Sequence, residues 1–219
     1  MNKVDGLIIS AGYSSRMREF KPLKSFQGVP FILSIILKLS TVCQDIKIIT
    51  GHKVEELKDS LLLWIKHPDA EWHQKFNLPE TGRNSLSERL TFIHNVNFNE
   101  GMFTSLQLGL AHSALSEWIL YHFVDQPHIP LSFYREFINE INPLYQWIQP
   151  AYGRKNAHPI LLKNDIFTSI INAPENSNLK LISQQNYIRK KFWNCPYPEI
   201  LQDFDSEKDI PEGEYRDTS

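Results

Sequence analysis

Residues 8–26 read IISAGYSSRMREFKPLKSF, and this stretch decides the fold. The apolar run that begins at Val4 stops at Ala11 and Gly12, which is how a short buried strand ends in a turn. Two serines, an arginine (Arg16) and a lysine (Lys21) follow. Small residues and positive charges directly after a strand are typical of a phosphate-binding loop, although an ordinary strand-to-helix turn has the same composition.

Strands and helices alternate beyond this turn. The spacing of apolar residues predicts strands at 4–9, 45–51, 90–95 and 118–124, and helices at 30–42, 54–65, 105–115 and 132–141. Since parallel strands need crossover helices, the alternation predicts an α/β fold with a Rossmann-like, mostly parallel sheet flanked by helices. Residues 145–152 and 159–163 read as an antiparallel pair, which adds a small antiparallel excursion. Two short helices and a last strand are predicted within residues 165–195.

The length and composition favour a single domain. A chain of 219 residues with 42% hydrophobic residues can bury one sizeable core, and we expect the domain to cover residues 1–210. Residues 67–89 are polar, contain two prolines and show few periodic apolar positions, so they are predicted to form an insertion or long loop. The charged end, residues 211–219, is predicted to be disordered.

Charge and cysteine usage argue against several classes of protein. A formal net charge of −2 gives no general attraction to nucleic acid or to an acidic membrane surface. The two cysteines, Cys43 and Cys195, are far apart and form no disulfide framework. The N-terminal apolar run is too short for a signal peptide, and no stretch reaches the roughly 18 apolar residues of a membrane span. We expect a cytoplasmic protein that is a monomer or a weak oligomer.

The loop after the first strand has the groups that a phosphate ligand requires. Ligands of open parallel sheets bind beyond the carboxyl ends of the strands. Gly12 allows the backbone to approach a ligand closely, and Ser14 and Ser15 offer hydroxyl and backbone N–H groups. Arg16 can bind phosphate oxygens bidentately, while Lys21 adds a compact charge. The sequence has neither G-x-x-x-x-G-K-[ST] nor G-x-G-x-x-G at this loop, so it is not a P-loop or a dinucleotide fingerprint.

The same stretch resembles the signature that opens the MobA-like nucleotidyltransferase family. That signature is roughly L-A-A-G-x-S-x-R-M-G-x-x-K, followed by a glycine-proline turn into a helix. The matching positions are Ile9, Ala11, Gly12, Ser14, Arg16, Met17, Lys21, Gly28 and Pro30. Ser10 stands in place of an alanine and Arg18 in place of a glycine.

Later segments match the same family in the same order. They are TGHKVEEL with Gly51 and His52, NFNEGMFTSLQLGL with Glu100, Gly101, Met102, Ser105, Leu106 and Gly109, FVDQPHI with Asp125, Gln126 and Pro127, AYGRKNAHPILL with Gly153, His158 and Pro159, and DFDSEKDI at residues 203–210. Val124 and Ala157 replace glycines of the family pattern. Six ordered matches over most of the chain are far more specific than any one of them.

The resemblance implies the fold of the nucleotide-diphospho-sugar transferases and a Mg²⁺-dependent transfer of a nucleoside monophosphate to a phosphorylated acceptor, with release of pyrophosphate. The positions that it assigns to the nucleotide are Ala11, Gly12, Ser14, Ser15, Gly51, Ser105 and Gln126. It assigns Gly153 and His158 to the acceptor substrate, and Arg16, Lys21 and Asp125 to catalysis. A lone histidine such as His158 is more often structural, so that alternative stays open.

Two carboxylates are predicted to bind the metal. Asp125 ends a strongly apolar strand, where a carboxylate is costly unless it is solvated, paired or bound to a cation. Asp203 and Asp205 alternate on an extended segment, so only one of them is expected to reach the same ion. Asp205 is favoured because it heads the better-matched part of the late motif. The alternatives are that Asp125 caps a turn and that Asp205 caps a helix.

The family pattern also favours a particular nucleotide. The forms Ser10-Ala11-Gly12 and Asp125-Gln126-Pro127 resemble the molybdenum cofactor cytidylyltransferases more than the guanylyltransferases, so CTP is the expected donor and molybdopterin the expected acceptor. A sugar 1-phosphate is an alternative acceptor. A nucleotide-binding module without catalysis is an alternative function, because Arg18, Val124 and Ala157 replace expected glycines.

Overall fold

The computed structural model describes residues 3–14, 17, 19–67, 83–174 and 176–211. Within them, eight strands form the main sheet and two more form a small hairpin. The strands are Val4–Ser10 (β1), Ser25–Phe26 (β2), Val29–Pro30 (β3), Ile46–Thr50 (β4), Leu90–His94 (β5), Trp118–Phe123 (β6), Trp147–Tyr152 (β7), Lys155–Asn156 (β8), Ile160–Lys163 (β9) and Lys190–Asn194 (β10).

The main sheet is mostly parallel, as the sequence predicts. Its order is β10-β7-β9-β6-β1-β4-β5, and β8 pairs with β7. Strand β1 lies between β6 and β4 and runs parallel to both, so that Ile8 is level with His122 and Ile48. Strand β9 is antiparallel to both β6 and β7, which confirms the predicted antiparallel pair. The hairpin of β2 and β3 forms a separate small antiparallel sheet.

Helices cover both faces of the sheet. They are Phe31–Leu39 (α1), Val54–Lys66 (α2), Arg83–Glu88 (α3), Met102–Ala111 (α4), Leu131–Phe137 (α5), Phe167–Ile171 (α6) and Leu179–Ser183 (α7). Alternate side chains of each strand point to opposite faces. In β1, Ile8 joins the core cluster that contains side chains of α1, α2 and α5, while Leu7 and Ile9 join the cluster that contains α4, α6 and α7.

Some element boundaries differ from those predicted. Helix α4 begins at Met102 rather than near Ser105, because Gly101 has a φ of 114° and turns the chain directly before it. Pro30 belongs to strand β3 and precedes α1 rather than occupying its first turn. Helix α3 lies inside the stretch predicted as an insertion.

Parts of the chain predicted as irregular fall outside the described residues. They are residues 68–82 of the predicted insertion and residues 212–219 of the predicted tail. The single-domain boundaries therefore stay a prediction. Among the described residues, no helix combines the length and the apolar character that crossing a bilayer requires.

Candidate active site

Several chain segments meet at the carboxyl edge of the parallel strands. The strand order places the loop after β1 in the middle, with the segment after β6 on one side and the segments after β4 and β5 on the other. Ligands of open α/β sheets bind beyond this edge. Most of the residues predicted for the nucleotide, the catalytic centre and the metal follow these strands.

The loop after β1 is tied to the end of β4. The carbonyl of Ala11 accepts a hydrogen bond from the backbone N–H of His52 at 3.1 Å. No atom of the described residues lies within 4 Å of the place where a Cβ of Gly12 would stand, so these residues leave the backbone there open to a ligand. Ser15 and Arg16, both predicted to contact the nucleotide, lie outside the described residues.

Ser14 organises the second half of this loop. Its φ of 56° lies in the left-handed region, and its carbonyl accepts from the backbone N–H of Met17 at 2.9 Å. Its hydroxyl accepts from the backbone N–H of Lys21 at 3.1 Å. Ser14 therefore fixes the start of the short 3₁₀ turn Lys21–Leu23, and with it the direction of the lysine.

Lys21 forms an ion pair across the site. Its ammonium lies 3.0 Å from Asp205 Oδ1, and the lysine side chain is nearly buried while the aspartate is partly exposed. The two residues are 184 positions apart in the chain. A predicted phosphate ligand and a predicted metal ligand are thus brought into direct contact.

The segment that carries Asp205 runs beside the loop after β6. We call residues 199–210 the C-terminal strap. The backbone N–H of Phe204 donates to the carbonyl of Asp125 at 2.8 Å, and His128 Nε2 donates to the carbonyl of Glu199 at 3.0 Å. The rings of His128 and Phe204 also stack, with centroids 4.3 Å apart. The strap is therefore fixed against the loop that contains Asp125.

Gln126 reinforces the same junction. Its side-chain amide donates to the carbonyl of Ile200 at 3.2 Å and to Asp203 Oδ1 at 2.9 Å, and the residue is only 2% exposed. In this structure the glutamine holds the strap and orients Asp203. Its predicted contact with the nucleotide stays a prediction.

Helix α1 holds the other side of the loop after β6. Ser34 Oγ donates to the carbonyl of Pro127 at 3.2 Å, and the buried Lys38 ammonium donates to the same oxygen. No pattern in the sequence predicts this contact. The available signal is a serine and a lysine four positions apart on a helix whose other residues are apolar, since buried polar groups are normally hydrogen-bonded.

A second lysine joins the strap to the segment after the first loop. Lys24 is 2% exposed, and its ammonium lies 3.4 Å from Glu207 Oε1 and 3.9 Å from Glu19 Oε2. A buried lysine of this kind is tolerated only when it is paired. The strap thus contributes acidic side chains to two lysines that lie close together in the sequence.

Three carboxylates near Lys21, those of Asp125, Asp203 and Asp205, are close enough to influence one another's ionisation. Asp125 Oδ1 is buried and has no hydrogen-bond partner among the described residues. Burial raises the pKa of Asp125 to about 6; the charges of Asp203 and Asp205 act in the same direction, and Lys21 opposes them. Burial and the charge of Asp205 also raise the pKa of Asp203, although its hydrogen bond from Gln126 lowers it. A cation at this cluster would relieve the repulsion and satisfy the buried oxygen.

This cluster predicts an unusual dependence of stability on pH. Because the folded-state pKa of Asp125, about 6, exceeds its ordinary value of 3.8, the folded state binds more protons than the unfolded state between these values. The free energy of unfolding should therefore fall as the pH rises from about 4 through 6. Without divalent cations, we expect the ionisation of Asp125 to lower the free energy of unfolding by about 1–2 kcal/mol between pH 4.5 and pH 7.5.

Denaturant unfolding of the wild type and Asp125→Asn at both pH values isolates this contribution, because other titrating groups cancel in the difference. The gain in stability from Asp125→Asn should be larger at pH 7.5 than at pH 4.5. An equal gain at both values would show that the carboxyl titrates normally.

The segments after β4 and β5 lie on the opposite side of the first loop. A Cβ on Gly51 would be 2.5 Å from Phe98 Cγ and 2.6 Å from the carbonyl oxygen of Ala11, so only glycine fits there. Gly51 thus allows the first loop and Phe98 to pack against the end of β4.

Ser105 lies in the first turns of α4. The residue is 1% exposed, and its hydroxyl accepts a hydrogen bond from Asn95 Nδ2 at 2.9 Å. The same amide donates to Thr104 Oγ1 at 3.0 Å. In this structure Ser105 holds the start of α4 against the segment after β5, and its contact with a nucleotide stays a prediction.

The residues predicted for the acceptor lie further out at the same edge. Gly153 follows β7 with a φ of 62°, as the turn into β8 requires. The ring of His158 packs against Phe123, the last residue of β6, at 4.4 Å between centroids. Burial lowers the pKa of His158 to about 4, so its imidazole is neutral at physiological pH. His158 is therefore a packed, neutral ring that contacts the residue two positions before Asp125.

Comparison with known proteins shows the family to which the chain belongs. A family model described as a MobA-like NTP transferase domain matches residues 6–189. The molybdenum cofactor cytidylyltransferase of Escherichia coli is 22% identical over 180 residues, covering 82% of this chain and 80% of that protein. A probable molybdenum cofactor guanylyltransferase of Bacillus cytotoxicus is 25% identical over 205 residues, covering 89% of this chain and 88% of that protein.

A solved structure shows the same fold. A nucleotidyl transferase from Methanothermobacter superposes with a TM-score of 0.70 at 17% identity, covering 95% of this chain and 94% of that one. At this identity the likeness establishes the architecture alone. The arrangement of a mostly parallel sheet with flanking helices is thus one already seen in a nucleotidyl transferase.

Proposed function

We propose that this chain, which belongs to the MobA-like NTP transferase family, transfers CMP from CTP to the phosphate of molybdopterin and releases pyrophosphate. The chain is a nucleotidyltransferase, and the proposal concerns its nucleotide, its acceptor and its cation. The observation that carries it is the buried, unpartnered oxygen of Asp125 beside Asp203, Asp205 and Lys21 in the described part of the chain. The first loop lies directly next to this cluster.

The residues present fit a Mg²⁺ ion. This ion prefers oxygen ligands and is often bound by one or two carboxylates together with substrate phosphates. We assign Asp125 and Asp205 to it, and when bound it would neutralise phosphate charge as pyrophosphate leaves. Among the described residues, no group of three or more His, Cys, Asp or Glu side chains could hold a metal by itself.

The transfer requires alignment and charge neutralisation rather than a protein nucleophile. An oxygen of the acceptor phosphate forms a bond to the α-phosphorus of the nucleotide. The bond from that phosphorus to the oxygen bridging to the β-phosphate breaks in line, and its electron pair leaves with pyrophosphate. Lys21 and Arg16 bind the phosphate oxygens that gain charge, and the open backbone at Gly12 allows the triphosphate to approach.

A pyrophosphate-release screen tests the proposal. Each of the common nucleoside triphosphates is incubated with Mg²⁺ and with molybdopterin or a sugar 1-phosphate, and Asp125→Asn serves as the inactive control. CTP with molybdopterin should release pyrophosphate fastest. Release with a sugar 1-phosphate but not with molybdopterin would identify the sugar 1-phosphate as the acceptor. Absence of release with every pair would leave a nucleotide-binding module without catalysis.

Nucleotide choice can be measured separately. We expect CTP to bind more tightly than GTP in the presence of Mg²⁺, because the forms Ser10-Ala11-Gly12 and Asp125-Gln126-Pro127 match the cytidylyltransferase pattern. Isothermal calorimetry with each nucleotide gives the two dissociation constants directly. Tighter binding of GTP would reject the cytidine assignment and leave the nucleotidyltransferase in place.

A further inference from the structure

A row of aromatic rings borders the first loop on the side away from the carboxylates. The ring centroids of Phe98 and Tyr13 are 4.9 Å apart, those of Tyr13 and His52 are 5.2 Å apart, and those of His52 and Phe20 are 5.9 Å apart. Tyr13 lies in the middle of the row and is 56% exposed. An exposed tyrosine ring that is flanked by other rings offers a flat apolar face on which a nucleobase can stack.

The neighbours of Tyr13 fix its place. Gly51 leaves room for Phe98 to pack against the first loop, since a Cβ there would overlap the Phe98 ring. The backbone of His52 is tied to the carbonyl of Ala11. Tyr13 is therefore held by tilted contacts from two rings whose own positions are set by the ends of β4 and β5. An exposed ring that is already positioned loses little conformational entropy when a ligand stacks on it.

The row and the charged cluster lie on opposite sides of the same loop. Lys21 faces the strap and the segment after β6, whereas His52 and Phe98 follow β4 and β5. Since β1 separates β6 from β4 and neighbouring strands are about 4.8 Å apart, the two groups are separated by about two strand spacings. A nucleoside triphosphate likewise has a charged end and a flat apolar end joined by a ribose.

We propose that the base of the bound nucleotide stacks on Tyr13, while the triphosphate lies toward Lys21 and Asp125. This inference rests on the proposed function, because it assigns one part of the same substrate to a residue at a variable position of the family motif. Stacking depends on the π-face that every base has, so it is tolerant of base identity. Tyr13 therefore contributes affinity and orientation for CTP and GTP alike, and the choice between them comes from other contacts.

The test compares nucleotides with a triphosphate that has no base. Calorimetry with Mg²⁺ is carried out on the wild type, Tyr13→Ala and Tyr13→Phe, using CTP, GTP and inorganic tripolyphosphate as ligands. Tyr13→Ala should weaken the binding of CTP and of GTP by about tenfold each, which is the lower part of the range for the loss of one stacked base. It should leave tripolyphosphate binding unchanged, and Tyr13→Phe should restore nucleotide binding to within about twofold.

Tyr187→Ala is the matched control. Tyr187 is 57% exposed, and it precedes β10 at the far end of the sheet from β4 and β5. This variant should bind all three ligands as the wild type does.

The possible outcomes separate this inference from the proposed function. If the wild type binds no nucleotide, both are overturned. If the wild type binds CTP or GTP and Tyr13→Ala binds them equally well, only the stacking role is overturned. An equal loss for tripolyphosphate would show that Tyr13 shapes the loop rather than contacting the base, and this result also overturns the stacking role.

Discussion

Asp125→Asn is expected to abolish Mg²⁺-dependent pyrophosphate release, with a loss of about 10³-fold or more in kcat/KM. Asparagine keeps the shape of the side chain but removes the charge that a hard cation requires. The loop that carries the carboxylate is held from several sides, because the backbone N–H of Phe204 donates to the carbonyl of Asp125 and the side chains of Ser34 and Lys38 donate to the carbonyl of Pro127. The variant should therefore lose chemistry without losing the loop that carries it.

Thermal unfolding separates these two effects. Without metal, Asp125→Asn should melt at the same temperature as the wild type or higher, because one member of a repelling carboxylate cluster has been neutralised. Asp59→Asn, a substitution at an exposed position of α2, is the control and should change neither the turnover nor the melting temperature. Turnover by Asp125→Asn within tenfold of the wild type would show that Asp125 is not a catalytic residue.

Lys21→Ala should lower kcat by about 10²–10³-fold, which corresponds to about 2.7–4 kcal/mol of lost transition-state stabilisation. The lysine ammonium is already held at the site by its 3.0 Å contact with Asp205, and its backbone is positioned by Ser14. Positively charged groups that are fixed in advance stabilise developing phosphate charge without reorganisation during the reaction. A similar loss is predicted for Arg16→Ala.

Steady-state kinetics and a melting curve for each variant check this prediction. Lys163→Ala provides a matched control, because Lys163 is also ion-paired, to Asp165 at 2.9 Å, but lies at the amino edge of the parallel strands. It should retain full activity. Unchanged turnover in both Lys21→Ala and Arg16→Ala would show that the first loop is an ordinary turn that does not contribute to catalysis.

The fold could be predicted from the sequence where its signals are local. The short, mainly apolar runs of β1, β4 and β6 identify buried strands, and the helical spacing of α1 and α2 identifies the crossovers between them. The hairpin of β2 and β3 has only two residues in each strand, which is too short to show a period. Helix α4 begins earlier than predicted because a positive φ at one glycine, Gly101, sets its start.

The site could be predicted only in part. The position of Asp125 at the end of an apolar strand predicts a carboxylate that must be solvated, paired or bound to a cation, and the resemblance adds the metal-binding role. The contacts that organise it join distant parts of the chain, such as Lys21 with Asp205 and Phe204 with Asp125, and no local pattern encodes them. Tyr13 could not be predicted, because a single aromatic residue in a polar loop has no periodic signal and its role depends on Phe98 packing beside it.

The fate of the α-phosphate tests the central claim most directly. The enzyme is supplied with Mg²⁺, molybdopterin and CTP that carries labelled phosphorus at either the α or the γ position, and the products are separated. The α-label should appear in the nucleotide-linked acceptor and the γ-label in pyrophosphate, with Asp125→Asn giving neither product. Transfer of the γ-label to the acceptor, or release of either label as inorganic phosphate alone, would contradict a nucleotidyl transfer at this site.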